Sequence, residues 1–219
     1  MVWTLAGIKG GSGRSTTAAN LFVYLQRLGH KVLAVDTDPQ KTLTYFLDVR
    51  RQQLEQPADP QLQQYGADLL PALKPLLSQY QDVVIDCGGR DSASQRAALT
   101  LADICLIPVA PRSTDRWTLD EVYALLDQAK KFNPKLQAFF FFSRTDFRGL
   151  STTAVREAAD YLRPNSDWCR LVELPIANRV VFDKAIGDGL SVFEYEPTDA
   201  KAIAEATALF SHVQHALTK

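Results

Sequence analysis

Cysteine is scarce in this chain and badly spaced for chemistry. The 219 residues contain three, Cys87, Cys105 and Cys169, an odd number with no CxxC pair. A disulfide framework and a tetrahedral zinc site are both unsupported, and reduced cytoplasmic thiols fit best. An excess of either charge is also missing. The 24 Lys+Arg against 25 Asp+Glu leave −1 at pH 7, which excludes a globally basic nucleic-acid coat and an acidic disordered tail. Long apolar runs are absent. The longest, Ala138 to Phe142, is bounded by Lys135 and Arg144, far short of the ~20 residues a membrane helix needs. Met1 to Ile8 is apolar but stops at Lys9 and a glycine run, with no basic leader and no cleavage site. It reads as a buried strand, not a signal peptide. What is present is a globular share of hydrophobic residues, 46%, enough for one large core in a single domain spanning 1–219.

Short apolar runs alternate with longer amphipathic stretches. The runs are Trp3–Ile8, Val32–Val35, Val83–Ile85, Ile104–Val109, Ala138–Phe142 and Leu171–Ile176. Such runs suit strands buried on both faces of a parallel sheet. Helical spacing marks Thr16 to Leu28, closed by Gly29, then Thr118 to Lys131, Thr152 to Leu162 and Thr198 to Leu217. The alternation predicts a doubly wound α/β fold: a mostly parallel sheet with helices on both faces. Residues 50–64, rich in Gln and Pro, read as a solvated excursion between sheet units.

The first strand runs into Lys9-Gly10-Gly11-Ser12-Gly13-Arg14-Ser15-Thr16, and a helix follows. This is the strand–loop–helix context of a phosphate-binding loop. The glycines let backbone N–H groups converge on an anion, and the helix N-terminus adds partial positive charge. Ser15 sits where a hydroxyl would bind Mg²⁺, and Thr16 where it would reach an inner phosphate. Asp36 and Asp38 end the strand Val32–Val35, on the edge of a parallel sheet that faces a ligand crevice. An acid pair there can hold Mg²⁺-bound water and orient an attacking water, or Asp38 with Pro39 can simply make a turn. Asp86 closes the apolar run Val83–Ile85 in the manner of a Walker-B carboxylate, and Gly88 and Gly89 give the following loop freedom to swing.

With these motifs the chain resembles the ParA/MinD family of deviant Walker-A ATPases, whose loop reads KGGxGK[ST]T. The resemblance extends through Val35-Asp36-Thr37-Asp38-Pro39-Gln40, Val84-Ile85-Asp86-Cys87-Gly88 and Ile107-Pro108-Val109-Ala110-Pro111. It is nearest to small plasmid-partition ParA proteins without an N-terminal DNA-binding domain, because the loop begins within ten residues of Met1. A P-loop NTPase fold, ATP or ADP with Mg²⁺, and slow hydrolysis stimulated by a partner are what the resemblance implies. It also implies that Asp38 activates water. Lys9 would cross the interface of an ATP-dependent homodimer to the partner's nucleotide. Ser143 stands where the family often has an adenine-reading Asn; Arg144 is an alternative base contact and Pro175 a candidate pocket wall. A basic patch from the C-terminal half, with Arg148, Arg156, Arg179 and Lys184 as candidates, would hold DNA without sequence preference. A ParB-like or adaptor protein is the implied partner, at the nucleoid in the cytoplasm.

Two relatives of the same scaffold fit less well. MinD-type proteins end in a basic membrane helix, whereas 200–219 is alanine-rich and carries only Lys201 and Lys219 besides two histidines. It reads as a core-packing helix and not a membrane anchor. The iron–sulfur cysteines of the nitrogenase iron protein have no counterpart pair here.

One departure stands out: Arg14 replaces the family's lysine after the last loop glycine. Arginine keeps the charge but is longer, planar and forked. Three readings stay open: a natural variant with slow hydrolysis, a nucleotide-binding switch with almost no turnover, and an engineered substitution. The function expected is an ATP-dependent partition or positioning switch. A nucleotide-binding DNA or conjugation accessory protein is the alternative. A carboxylating ligase would need a substrate constellation that is not visible.

Overall fold

The computed structural model describes residues 1–55, 58–63, 66–89, 92–111, 116–146, 153–162 and 166–216. The strands are β1 (Val2–Leu5), β2 (Val32–Asp36), β3 (Gln61–Gln63), β4 (Asp82–Asp86), β5 (Ile104–Val109), β6 (Gln137–Phe142) and β7 (Cys169–Val172). They form one sheet in the order β3-β2-β4-β1-β5-β6-β7, with every neighbouring pair parallel. The helices are α1 (Arg14–Arg27), α2 (Thr42–Gln53), α3 (Leu69–Leu73), α4 (Ala93–Leu101), α5 (Arg116–Phe132), α6 (Thr153–Tyr161), α7 (Val180–Gly187) and α8 (Ala200–Ala216). This is the doubly wound α/β architecture that the alternation predicts. Among the described residues no helix is long and apolar enough to cross a membrane.

The four consecutive phenylalanines of β6 show why these strands lack a polar face. Phe139 and Phe141 point into the core beneath α1, α2, α7 and α8, with Trp3, Leu5, Phe22, Phe46 and Phe210. Phe140 and Phe142 point the other way, among Leu119, Leu126, Val155 and Leu162 of the α5–α6 side. A third cluster packs α3 and α4 on Leu33, Val35, Val83 and Ile85. Period-2 alternation between two dry faces puts apolar side chains on both sides of β6. The face of α8 carrying Ala202, Ala206, Leu209, Phe210 and Val213 is buried in the first cluster.

The stretch 50–64 is largely exposed, as expected of a solvated excursion, but its described residues carry regular structure; 56, 57 and 64 lie outside the described residues. Helix α2 runs through Arg50 to Gln53, and Gln61–Gln63 adds an edge strand parallel to β2, with Ala34 opposite Gln61 and Asp36 opposite Gln63. The pairing is held by backbone, such as Ala34 N–H donating to Pro60 O at 3.0 Å. An edge strand with exposed glutamines needs no apolar side chains. The run expected at Leu171–Ile176 also shifts: β7 ends at Val172, and the chain regains β6 only where Ile176 N–H donates to Phe142 O at 2.8 Å. Pro175, with no N–H to give, lies in the detour. Strand β1 ends at Leu5, three residues before the expected Ile8.

Candidate nucleotide site

The order of the sheet turns at β1, so the loop after it opens into the crevice at the carboxyl edge, where ligands bind in doubly wound sheets. Gly11 and Gly13 have φ of 76° and 90°, values that disfavour any residue with a Cβ. Gly13 caps α1, and its carbonyl accepts from Thr17 N–H at 2.9 Å and the Thr17 hydroxyl at 2.7 Å. The first turn of α1 has no acidic residue and no side-chain cap, so its N–H groups remain for an anion. The Ser143 hydroxyl, at the end of β6, donates to Ser12 O at 2.6 Å, and Arg144 donates to Gly11 O at 3.2 Å. Gly10, Gly11, Gly13, Arg14, Ser15 and Thr16 all line a cleft of about 880 Å³.

Three aspartates stand at this edge in three different environments. Asp36 is buried, and its oxygens are taken: Oδ1 accepts from Asp38 N–H at 3.0 Å, and Oδ2 accepts from Thr44 N–H and the Thr44 hydroxyl, both at 2.9 Å. It therefore anchors the start of α2. Burial raises its carboxyl above the ordinary range, against the opposing hydrogen bonds from Thr44 and Asp38. Asp38 is half-exposed in the cleft wall; its Oδ1 accepts from Gln40 N–H at 2.9 Å, and a Cβ at Gly88 would lie 3.5 Å from its carboxyl.

Asp86 is fully buried, and neither oxygen has a hydrogen-bond partner. Burial pushes its carboxyl up to about 7. The nearby Ser15 hydroxyl, outside hydrogen-bond geometry, and the Arg14 charge offset part of this, while the charges of Asp36 and Asp38 add to it. A buried carboxylate without a donor is costly unless a cation completes it. The pair Ser15 and Asp86 fits Mg²⁺, which takes a hydroxyl, one or two carboxylates, waters and phosphate oxygens and needs no larger protein cage. No trio of His, Cys, Asp or Glu suited to a metal occurs among the described residues.

Arg14 lies under the loop, 7% exposed. Its Nε donates to Cys87 O at 3.1 Å, and NH1 donates to Lys9 O and, at 3.3 Å, to Ser12 Oγ. Lys9 itself is exposed at the lip of the loop. Beside the phosphate loop a second pocket is lined by Thr17, Asn20, Ser143, Asn178, Phe182 and Phe210 among others, and Arg144 stands in the wall of both. Arg144 has φ 54° and pairs with Asp183 at 3.5 Å. Pro175 is not part of that wall; its neighbours 176–179 are. Asn178, Phe182 and Asn20 escaped the sequence reading, because chain segments far apart in sequence assemble this pocket.

The candidate basic residues differ in their settings. Arg179 is drawn inward, its NH2 donating to Glu205 at 2.6 Å with Asp199 at 4.0 Å. Lys184 is exposed on α7 and Arg156 on α6. Arg148 lies outside the described residues.

Maintenance of carboxysome distribution protein A of Halothiobacillus neapolitanus is 28% identical over 210 residues, covering 95% of this chain and 94% of that one. The chromosome-partitioning ATPase Soj of Thermus thermophilus is 59% identical over 46 residues, 21% of this chain and 18% of that one. Apo McdA of Cyanothece shares the fold, with a TM-score of 0.76 at 21% identity over 99% of this chain and 98% of that one. The CobQ/CobB/MinD/ParA nucleotide-binding domain matches residues 3–217, and the chain belongs to that family.

Proposed function

We propose that the protein is an ATP-dependent switch for partition or positioning. The phosphates of ATP rest on the backbone N–H groups of Gly10 to Thr16. Ser15 and Asp86 hold Mg²⁺, which neutralises charge on the β- and γ-phosphates when bound. Asp38 orients a water for attack on the γ-phosphorus and takes its proton as the bond to the β–γ bridging oxygen breaks and ADP leaves. The base lies by Arg144, and Asn178 is a candidate contact. Lys9 reaches the nucleotide of a second copy and closes a homodimer. The dimer then binds DNA without sequence preference through exposed basic residues such as Arg156 and Lys184. A ParB-like or adaptor protein stimulates hydrolysis and release, at the nucleoid in the cytoplasm.

The observation that carries this reading is the orphaned Asp86 carboxylate beside Ser15, at the foot of a phosphate loop whose helix start is uncapped. Kinship with carboxysome-distribution and chromosome-partitioning proteins supports the cellular role. Calorimetric titration with ATP, with and without Mg²⁺, tests the centre of the proposal. Binding that requires Mg²⁺ supports it, and no binding of ATP or ADP overturns it. A second reading, a nucleotide-binding DNA or conjugation accessory protein with almost no turnover, is favoured by one observation. The Arg14 donors at Nε and NH1 meet protein oxygens, not the open cleft. Steady-state phosphate release with and without DNA separates the two.

A further inference from the structure

Arg14 occupies a place built around a guanidinium. Its donors diverge: Nε reaches Cys87 O, just past β4, while NH1 reaches Lys9 O and Ser12 Oγ in the phosphate loop. Gly89 makes the room: a Cβ there would lie 2.6 Å from NH2. A lysine carries all its donors on one nitrogen and has none at the position of Nε, so it cannot join both walls in this way. Three charge-assisted bonds, two of them to carbonyls, from a side chain this buried hold strongly.

We propose that Arg14 is a positioning residue, a fixed brace that ties the phosphate loop to the loop Cys87–Gly89 both before and after nucleotide binds, and that it is not a phosphate ligand. The proposal rests on the reading of the cleft as a nucleotide site. With the brace in place, the two walls of the cleft move as one body. Phosphate charge is then met by backbone N–H groups, the cation and Lys9, without a compact ammonium between the β- and γ-phosphates. Phosphoryl transfer depends on positioning and charge neutralisation, so ATP binding persists while turnover stays slow.

The first test needs no nucleotide, so it fails or succeeds apart from the ATP-switch reading. Hydrogen exchange of the Cys87 amide, which donates to Leu5 O at 3.1 Å while its own carbonyl accepts from Arg14, is compared in wild type, Arg14→Lys, Gly89→Ala and the double variant. Loss of a hydrogen bond to a charged group should speed exchange there by about tenfold or more. Gly89→Ala meets the guanidinium at 2.6 Å and the Gly10 backbone only at 3.3 Å, so the larger part of its effect should vanish in the Arg14→Lys background, the signature of coupled sites. Unchanged exchange in Arg14→Lys, or effects that add independently, overturns the brace. The second test uses ATP. Arg14→Ala should keep ATP affinity within a few-fold, and Arg14→Lys should change kcat more than KM. The wild-type Cys87 amide should stay protected at saturating ATP. A hundredfold loss of ATP affinity in Arg14→Ala, or deprotection of the Cys87 amide on ATP binding, would show that Arg14 leaves its carbonyls for the phosphates.

Discussion

Arg50 and Glu194 face each other through two hydrogen bonds of 2.7 Å each, joining α2 to the turn that follows α7. Burial alone would raise the Glu194 carboxyl; the Arg50 guanidinium and the Ser191 N–H and hydroxyl outweigh it and hold it below the ordinary range. A carboxyl depressed in the folded state contributes stability above its unfolded pKa and loses it as pH falls through the folded one. Glu194→Gln should therefore cost stability at pH 7, by about 3 kcal/mol as a broken buried pair. The difference from wild type should shrink as pH falls below the ordinary carboxylate range. Denaturant melts at pH 7 and pH 3 check this; a difference independent of pH would refute it.

Gly189 should tolerate no side chain. Its φ is 69°, and a Cβ there would lie 2.4 Å from Arg50 N and 2.7 Å from Arg50 Cα. Neither a left-handed residue nor a rigid helix backbone yields cheaply. Gly189→Ala should lower unfolding free energy by roughly 2 kcal/mol or more, read from a denaturant melt. A loss under half a unit would mean that the turn moves freely away from α2.

Asp86→Asn should separate stability from function. The amide replaces a buried, partnerless carboxylate, so thermal stability without ligand should hold or rise, since neutralising a buried charge removes a cost. Mg²⁺-dependent ATP affinity should fall at least tenfold in calorimetry. Unchanged Mg²⁺ dependence would remove Asp86 from the metal site.

Asp38→Ala should leave ATP affinity within a few-fold and reduce phosphate release by about 10² or more, the usual weight of a general base. The variant should accumulate as an ATP-bound dimer in sedimentation. Wild-type turnover together with a monomer at saturating ATP would reject the role.

Lys9→Ala should weaken ATP-dependent dimerisation and, through it, DNA retention. Two weak half-patches gain avidity only on one dimer, where the second contact becomes intramolecular. A single direct phosphate contact would instead change the salt slope by about one. DNA retention against salt, with ATP and with ADP, distinguishes these. Wild-type binding that is equal with either nucleotide would defeat the switch.

The strands were legible because burial on both faces leaves continuous apolar runs: Ile104–Val109 appears in the fold with the bounds read from sequence. Helix α1 was legible from its leucines and Gly29, although it starts at Arg14, two residues before Thr16, because the phosphate loop leads straight into the first turn. Helix α2 was not seen. Leu43, Phe46 and Leu47 carry the helical spacing, but the next core position is Arg50, a charge made tolerable by Glu194 from far along the chain. Strand β3 was hidden because its glutamines face solvent. At the site, the phosphate loop and its three aspartates were visible as local motifs. The inward turn of Arg14 was not, since its acceptor at Cys87 lies 73 residues away.

The loop bearing Asp38 is an arch on two footings. On one side Thr37 N–H donates to Asp86 O at 2.9 Å; on the other Thr44 is held by Asp36. Between them only 38–41 precede α2, with Lys41 already at φ 55° and its N–H donating to Asp38 O at 2.9 Å. The span therefore has a short reach, and the place of Asp38 over the cleft is set by how many residues bridge the two footings as well as by which ones they are.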